Sequence, residues 1–256
     1  MTVPAEVPIR DAATVVLLRD GDGGIEAWLL TRVTEMAFAA GMTVFPGGRV
    51  EPADAELPFA GAAGADIAAR FGCDEAFARG LLGAAVRETF EETGVLLTTP
   101  WAELAAARSD VEQGRTGFGD LLREHGLAIG AHALRPWARW ITPPGETRRY
   151  DTHFFVGPMP EGAQAMDLTT ESSAAAWLGV GDALEQAQRG ERKLMPPTLA
   201  TLASLLPFAT VAEVVAAADR RRIEPIQPVI TITDDGQVIA DLPDGTSISM
   251  PRSTFR

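Results

Sequence analysis

The chain has 256 residues, 46% of them hydrophobic, and a formal charge of −13 from 22 Lys and Arg against 35 Asp and Glu. Such a chain can bury a full core, but its charge repels nucleic-acid phosphates, so a ligand that carries phosphate must be met by local Arg or by bound cations. A single cysteine, Cys73, excludes an intramolecular disulfide and every Cys-based zinc site, which fits a reducing compartment.

The N-terminal run MTVPAEVPIRD lacks a basic segment followed by an apolar one, and the apolar run at 12–18 is too short to span a bilayer. A cytoplasmic protein without membrane contact is therefore expected. Residues 12–18 and 25–32 read as two strands separated by the turn residues 20–24, and 43–45 as a brief strand that stops at Pro46-Gly47-Gly48. Residues 52–72 are rich in Ala and Gly, weakly helical only around 65–71. Asp74 to Thr93 is a strong helix, with Asp74 placed to cap it and Gly94 where a helix-terminating glycine belongs. Two further helices are expected at 101–107 and 118–124, in a segment suited to a lid or a dimer surface.

Strands at 134–141 and 150–156 alternate as a pair joined by the turn Thr142-Pro143-Pro144-Gly145-Glu146. A shorter strand is expected at 174–178. Helices follow at 182–188, 197–205 and 211–221, and the tail from 229 to 245 reads as a β-hairpin appendage.

The chemistry concentrates in Arg87-Glu88-Thr89-Phe90-Glu91-Glu92-Thr93-Gly94-Val95. At 100° per residue Glu88, Glu91 and Glu92 share roughly one turn, where like charges repel and acids near a helix C-terminus oppose the helix dipole. A hard divalent cation reverses the sign of that repulsion, since Mg²⁺ and Mn²⁺ favour carboxylate oxygens. An ordinary solvated acidic helix end is the alternative reading of three glutamates taken alone.

These residues resemble the Nudix signature: Arg87, Glu88, Glu91, Glu92, Gly94 and Val95 fall in place, and Phe45-Pro46-Gly47-Gly48 looks like the opening Gly-Gly loop. Asp54 stands where Glu is usual, and 32 residues, 55–86, separate the halves instead of seven. The split box, with Trp140-Ile141-Thr142-Pro143 and Arg149-Tyr150-Asp151-Thr152-His153-Phe154-Phe155, resembles the branch that contains the peroxisomal coenzyme A diphosphatase and its bacterial homologues. Leu29, Leu30, Thr31 and Gly41 fit that branch's coenzyme A signature, while Ala37 stands where its Arg would be.

The resemblance implies an α/β fold, an α/β/α sandwich with a mixed β-sheet, helical insertions at about 55–79 and 99–133, a Nudix domain over 10–222 and a C-terminal hairpin tail over 223–256. It implies metal held by Gly47, Gly48, Glu88, Glu91 and Glu92, with Mg²⁺ or Mn²⁺ as cofactor and Arg87 aligning the glutamates. The general base is Glu88 or Glu171, with Glu146 and Asp167 as competing acids, and Arg32, Arg49 and Arg149 are candidate substrate-phosphate ligands. The expected reaction is metal-dependent hydrolysis of a nucleoside-diphosphate-linked small molecule, coenzyme A or acyl-coenzyme A. An ADP-ribose or dinucleotide diphosphatase and a non-catalytic nucleotide-binding regulator are the alternatives. Homodimerisation is left open. His153 and Cys73 are read as structural residues, and Arg148, like Arg149, as either a substrate-phosphate fork or a residue of a solvated turn.

Overall fold

The computed structural model describes residues 7–33, 41–166 and 172–251; Ala37, Asp167 and Glu171 lie outside the described residues. Strand β1 (Ile9–Gly21) and strand β2 (Gly24–Arg32) form the expected hairpin, longer than the apolar runs alone suggest because pairing continues to Gly21↔Gly24. β3 (Thr43–Val44) pairs with β2, and β4 (Gly47–Arg49) pairs with β1. The Gly-Gly segment is thus built into the sheet.

The strong helix is α2 (Glu75–Thr93), following α1 (Ala65–Phe71). Asp74 caps α2 by accepting the Phe77 N–H, and Gly94 ends it in the left-handed conformation at φ 75°. α3 (Arg108–Glu112) and α4 (Phe118–Glu124) come next. The expected helix at 101–107 is displaced: helical turns begin only at Ala105, where the Glu103 carboxylate accepts the Ala105 N–H, and continue to Glu112 under an Arg108–Glu112 ion pair.

β7 (Arg135–Ile141) and β8 (Arg149–Pro158) pair antiparallel as expected, and β8 runs parallel to β1. β9 (Ser172–Gly179) pairs antiparallel with β2, and the parallel β1–β8 pair makes the main sheet mixed. α5 (Val180–Gln188), α6 (Pro196–Leu205) and α7 (Val211–Ala218) complete the domain.

Period-two alternation places the layers. Ala13, Val15 and Leu17 of β1 face one core with Leu81, Leu82 and Phe90 of α2, whereas Val16 and Leu18 face a second core with Leu202 and Val214. The result is the expected α/β/α sandwich. No helix among the described residues is long and apolar enough to cross a membrane.

Two expectations are corrected. The insertion at 55–79, which its weak helical pattern would leave outside the core, contributes buried Leu57, Ile67 and Phe71 to the first core, and Phe118, Leu121, Leu122 and Ile129 of the second insertion are core wall where a lid or dimer surface is expected. The insertions also pair with each other, β5 (Phe59–Ala60) running parallel to β6 (Ile129–Gly130). In the tail, β10 (Pro225–Ile226) joins β7, and the expected hairpin is a three-stranded sheet of β11 (Val229–Ile232), β12 (Gln237–Asp241) and β13 (Ser247–Pro251). The third strand forms because Asp244-Gly245 reverses the chain and lets Met250 be buried beside Val238 and Ala240.

Candidate active site

The last turns of α2 face the Gly-Gly loop. The Gly47 N–H donates to Glu92 Oε2 at 2.9 Å. A Cβ on Gly48 would lie 2.3 Å from the Glu88 carboxylate carbon, so that carboxylate fills the space a side chain would take. The two halves of the split signature therefore meet as expected, although 38 residues separate Gly48 from Arg87 in the sequence.

Arg87 is the hub. Its Nε and Nη2 donate to both oxygens of Asp54 at 2.8 and 3.0 Å, and its Nη1 donates to Glu88 Oε1 at 2.8 Å and to Glu91 Oε2 at 3.4 Å. Nη2 also reaches the Arg49 carbonyl at 3.0 Å, which ties the end of β4 to the helix. Such a bidentate fork has the geometry of a strong charge-assisted pair.

Asp54 is 1% exposed and sits in a short 3₁₀ turn, Pro52–Glu56, where it also accepts the Glu51 N–H at 2.8 Å. Asp54 was read only as a departure from the usual Glu, and its pairing with Arg87 was missed. A buried arginine needs a buried acid, and this is the signal that points to it. The turn can lie on α2 because residue 83 is glycine: a Cβ there would be 2.2 Å from the Asp54 carbonyl oxygen. Arg108 was also missed; its Nη1 donates to the Glu91 carbonyl at 2.6 Å.

The electrostatics show an excess of acid. Burial works against the Arg87 charge, but Asp54, Glu88 and Glu91 outweigh it and hold the guanidinium protonated beyond its ordinary range. Burial raises Glu88 above the usual carboxylate range despite Arg87. Burial likewise lifts Glu91 to about 7, against Arg87 and with added repulsion from Glu88. One guanidinium serves three carboxylates, and Glu51 adds a further negative field.

That donor set is one of hard oxygens, the chemistry that suits Mg²⁺ or Mn²⁺. Among the described residues no three acidic, His or Cys side chains converge at metal-holding spacing. Glu88 and Glu91 turn to Arg87, and Glu92 accepts the Gly47 amide. The fit to a cation is thus one of charge and donor type.

The proposed phosphate ligands are dispersed. Arg49 follows Gly48 and is exposed beside the site. Arg32 is half-buried at the end of β2, and Arg149 is buried with its Nε donating to Thr142 O at 3.2 Å, which braces the β7–β8 turn. Glu146 and Arg148 are exposed in that turn. His153 is fully buried with its ring edge-on to Phe71 and Phe77, in keeping with a structural residue, and Cys73 is half-buried.

The family described as the NUDT19 Nudix domain matches residues 74–205, just over half of the chain. Acyl-coenzyme A diphosphatase NUDT19 of Homo sapiens is 31% identical over 176 residues, covering 60% of this chain and 47% of that protein. Its counterpart in Gallus gallus is 28% identical over 287 residues, covering 88% and 75%. In Xenopus laevis the same-named protein is 27% identical, again over 47% of its length. The chain thus spans about half the length of the human and Xenopus relatives. The crystal structure of a NUDIX hydrolase from Alicyclobacillus acidocaldarius superposes with a TM-score of 0.69 at 29% identity, covering 82% of this chain and 96% of that one.

Proposed function

Because the chain belongs to the family of NUDT19 Nudix domains, we propose that it hydrolyses the phosphoanhydride of a nucleoside-diphosphate-linked substrate, coenzyme A or an acyl-coenzyme A, with Mg²⁺ or Mn²⁺. The observation that carries the reading is the Arg87 hub, which holds Asp54, Glu88 and Glu91 against the loop whose Gly47 amide binds Glu92. The relatives, acyl-coenzyme A diphosphatases, supply the substrate class.

Glu88, Glu91, Glu92 and the Gly47-Gly48 backbone would hold the cation. When bound, it would polarise the anhydride and make a coordinated water more acidic. Arg87 keeps Glu88 and Glu91 on one side of α2, and Asp54 keeps Arg87 there. Gly47 orients Glu92 through its N–H. Glu88 or Glu171 accepts the proton of the attacking water. Arg49 and Arg32 are the candidate phosphate ligands, and we assign Arg149 a bracing role.

A product-resolved assay of coenzyme A, acyl-coenzyme A, ADP-ribose, NADH and nucleoside triphosphates with each metal tests this. The expected products are adenosine 3′,5′-bisphosphate and a phosphopantetheine. Higher kcat/KM for ADP-ribose or NADH than for every coenzyme A derivative would replace the substrate assignment, and no turnover of any diphosphate would favour a ligand-binding regulator.

A further inference from the structure

A cleft of about 760 Å³ opens between the start of β1, the chain that leaves β4 and the first turns of α2. It meets the site at residues 49 and 51. Arg49 and Glu51 line it, the Arg49 carbonyl is held by Arg87, and Glu51 acts through its field on Glu88 and Glu91. Gly80 on its floor is eight residues before Glu88, about 12 Å along the helix at 1.5 Å per residue.

Its chemistry is divided. The floor is made of small or apolar groups, with Val50, Ala55, Ala76, Phe77 and Gly80 chief among them. The charged residues are Arg10, Arg49, Asp11 and Glu51, and neither arginine side chain has an ion-pair partner among the described residues. A purine site usually offers a flat aromatic face and polar groups for the base edge. Here the one aromatic, Phe77, is half-buried and turned edge-on to His153. Ala and Gly leave a channel for a thin, extended chain, and the arginines suit the phosphate at its head.

We propose that this cleft takes the non-nucleotide arm of the substrate, an extended aliphatic and amide chain attached to the diphosphate, and so sets selectivity for the length of the group it carries. This rests on the coenzyme A reading above. Burial of successive methylenes on the floor favours longer chains, and filling the floor removes that preference without touching the glutamates.

Ala76→Trp fills the cleft from an exposed position near the start of α2, with Ala76→Ser as the conservative control. Both full-length variants are assayed with coenzyme A, acetyl-, octanoyl- and palmitoyl-coenzyme A, ADP-ribose and NADH. The expected result for Ala76→Trp is a rise of at least tenfold in KM for the octanoyl and palmitoyl esters, an unchanged kcat, and unchanged turnover of whichever diphosphates without an arm the parent cleaves. Ala76→Ser should retain the parent's profile. The same chain-length profile in Ala76→Trp overturns the inference and leaves the reaction assignment standing, as does an equal loss on all substrates. Binding of octanoyl-coenzyme A in EDTA is measured by calorimetry in parallel. Weaker binding by Ala76→Trp supports the cleft assignment even if the parent turns over no coenzyme A ester, whereas equal or absent binding overturns it.

Discussion

Gly47 and Gly48 are adjacent and do different work, which makes them separable by a single methyl. At Gly48 the atom in the way is the end of the flexible Glu88 side chain, whereas at Gly47, with φ at 156°, it is the Ala13 carbonyl oxygen at 2.4 Å and the Thr14 Cα at 2.7 Å. Gly48→Ala should therefore leave thermal stability nearly unchanged while moving Glu88, with a fall of about 100-fold in kcat, the order of loss that a misplacement near 1 Å produces. Gly47→Ala should instead cost about 1–3 kcal/mol of stability, because backbone cannot yield as a side chain can. Melting curves and kcat for both variants check this; equal stability losses would mean that Glu88 is not free to move. Asp54 gives a third test. It accepts two bonds from Arg87 and one from Glu51, so Asp54→Asn strands a buried guanidinium and should cost about 3 kcal/mol in urea unfolding. A change below about 0.5 kcal/mol would show that Glu88 and Glu91 alone satisfy Arg87.

Helix α2 carries two glycines whose replacement should act in opposite directions. A Cβ at Gly80 meets nothing nearer than Val50 Cγ1 at 3.4 Å, so Gly80→Ala should stabilise by up to about 1 kcal/mol through helix propensity. A Cβ at Gly83 meets the Asp54 carbonyl oxygen at 2.2 Å. There the clash, about 1–3 kcal/mol, exceeds the gain in propensity, and Gly83→Ala should lower both the melting temperature and kcat by pushing the 3₁₀ turn and Asp54 off the helix. Stabilisation by both changes would refute the docking of that turn. The same helix shows what could be read in advance. Its span, its Asp74 cap and its Gly94 stop are local signals, so they were legible, as were the β1–β2 and β7–β8 pairs. The Arg87–Asp54 fork spans 33 positions, and the β5–β6 pairing joins two insertions of weak periodicity. Neither leaves a local trace. β13 does alternate, Ser247 and Ser249 with Ile248 and Met250, but five residues ending at Pro251 are too short a run to separate from a tail until Met250 is seen to be buried.

Acid stability brings opposing contributions from β8 and α2 into one measurement. His153 is buried against Phe71 and Phe77, and burial lowers its pKa to about 4 against the pull of Asp151. Between pH 6.5 and 4 the unfolded chain therefore holds a proton that the folded chain refuses. Stability from this residue is complete above pH 6.5 and is lost as pH falls, by at most about 3 kcal/mol. Glu91 has the reverse sign. Its pKa, raised by burial to about 7, keeps a proton in the fold that the unfolded chain has released above about 4.5. Its contribution is thus present below pH 4.5 and lost as pH rises towards 7, and Glu88 adds in the same direction. Glu91 is partly open to solvent, which screens its share, so the metal-free protein should lose stability only gently between pH 7 and 4.5. Removing one term exposes the other: Glu91→Gln should steepen the loss on acidification, and His153→Gln should turn it into a gain. Urea midpoints at pH 7, 5.5 and 4.5 in EDTA measure both slopes. Parallel slopes in the parent and the two variants would mean that neither group is perturbed by the fold in the way its burial requires.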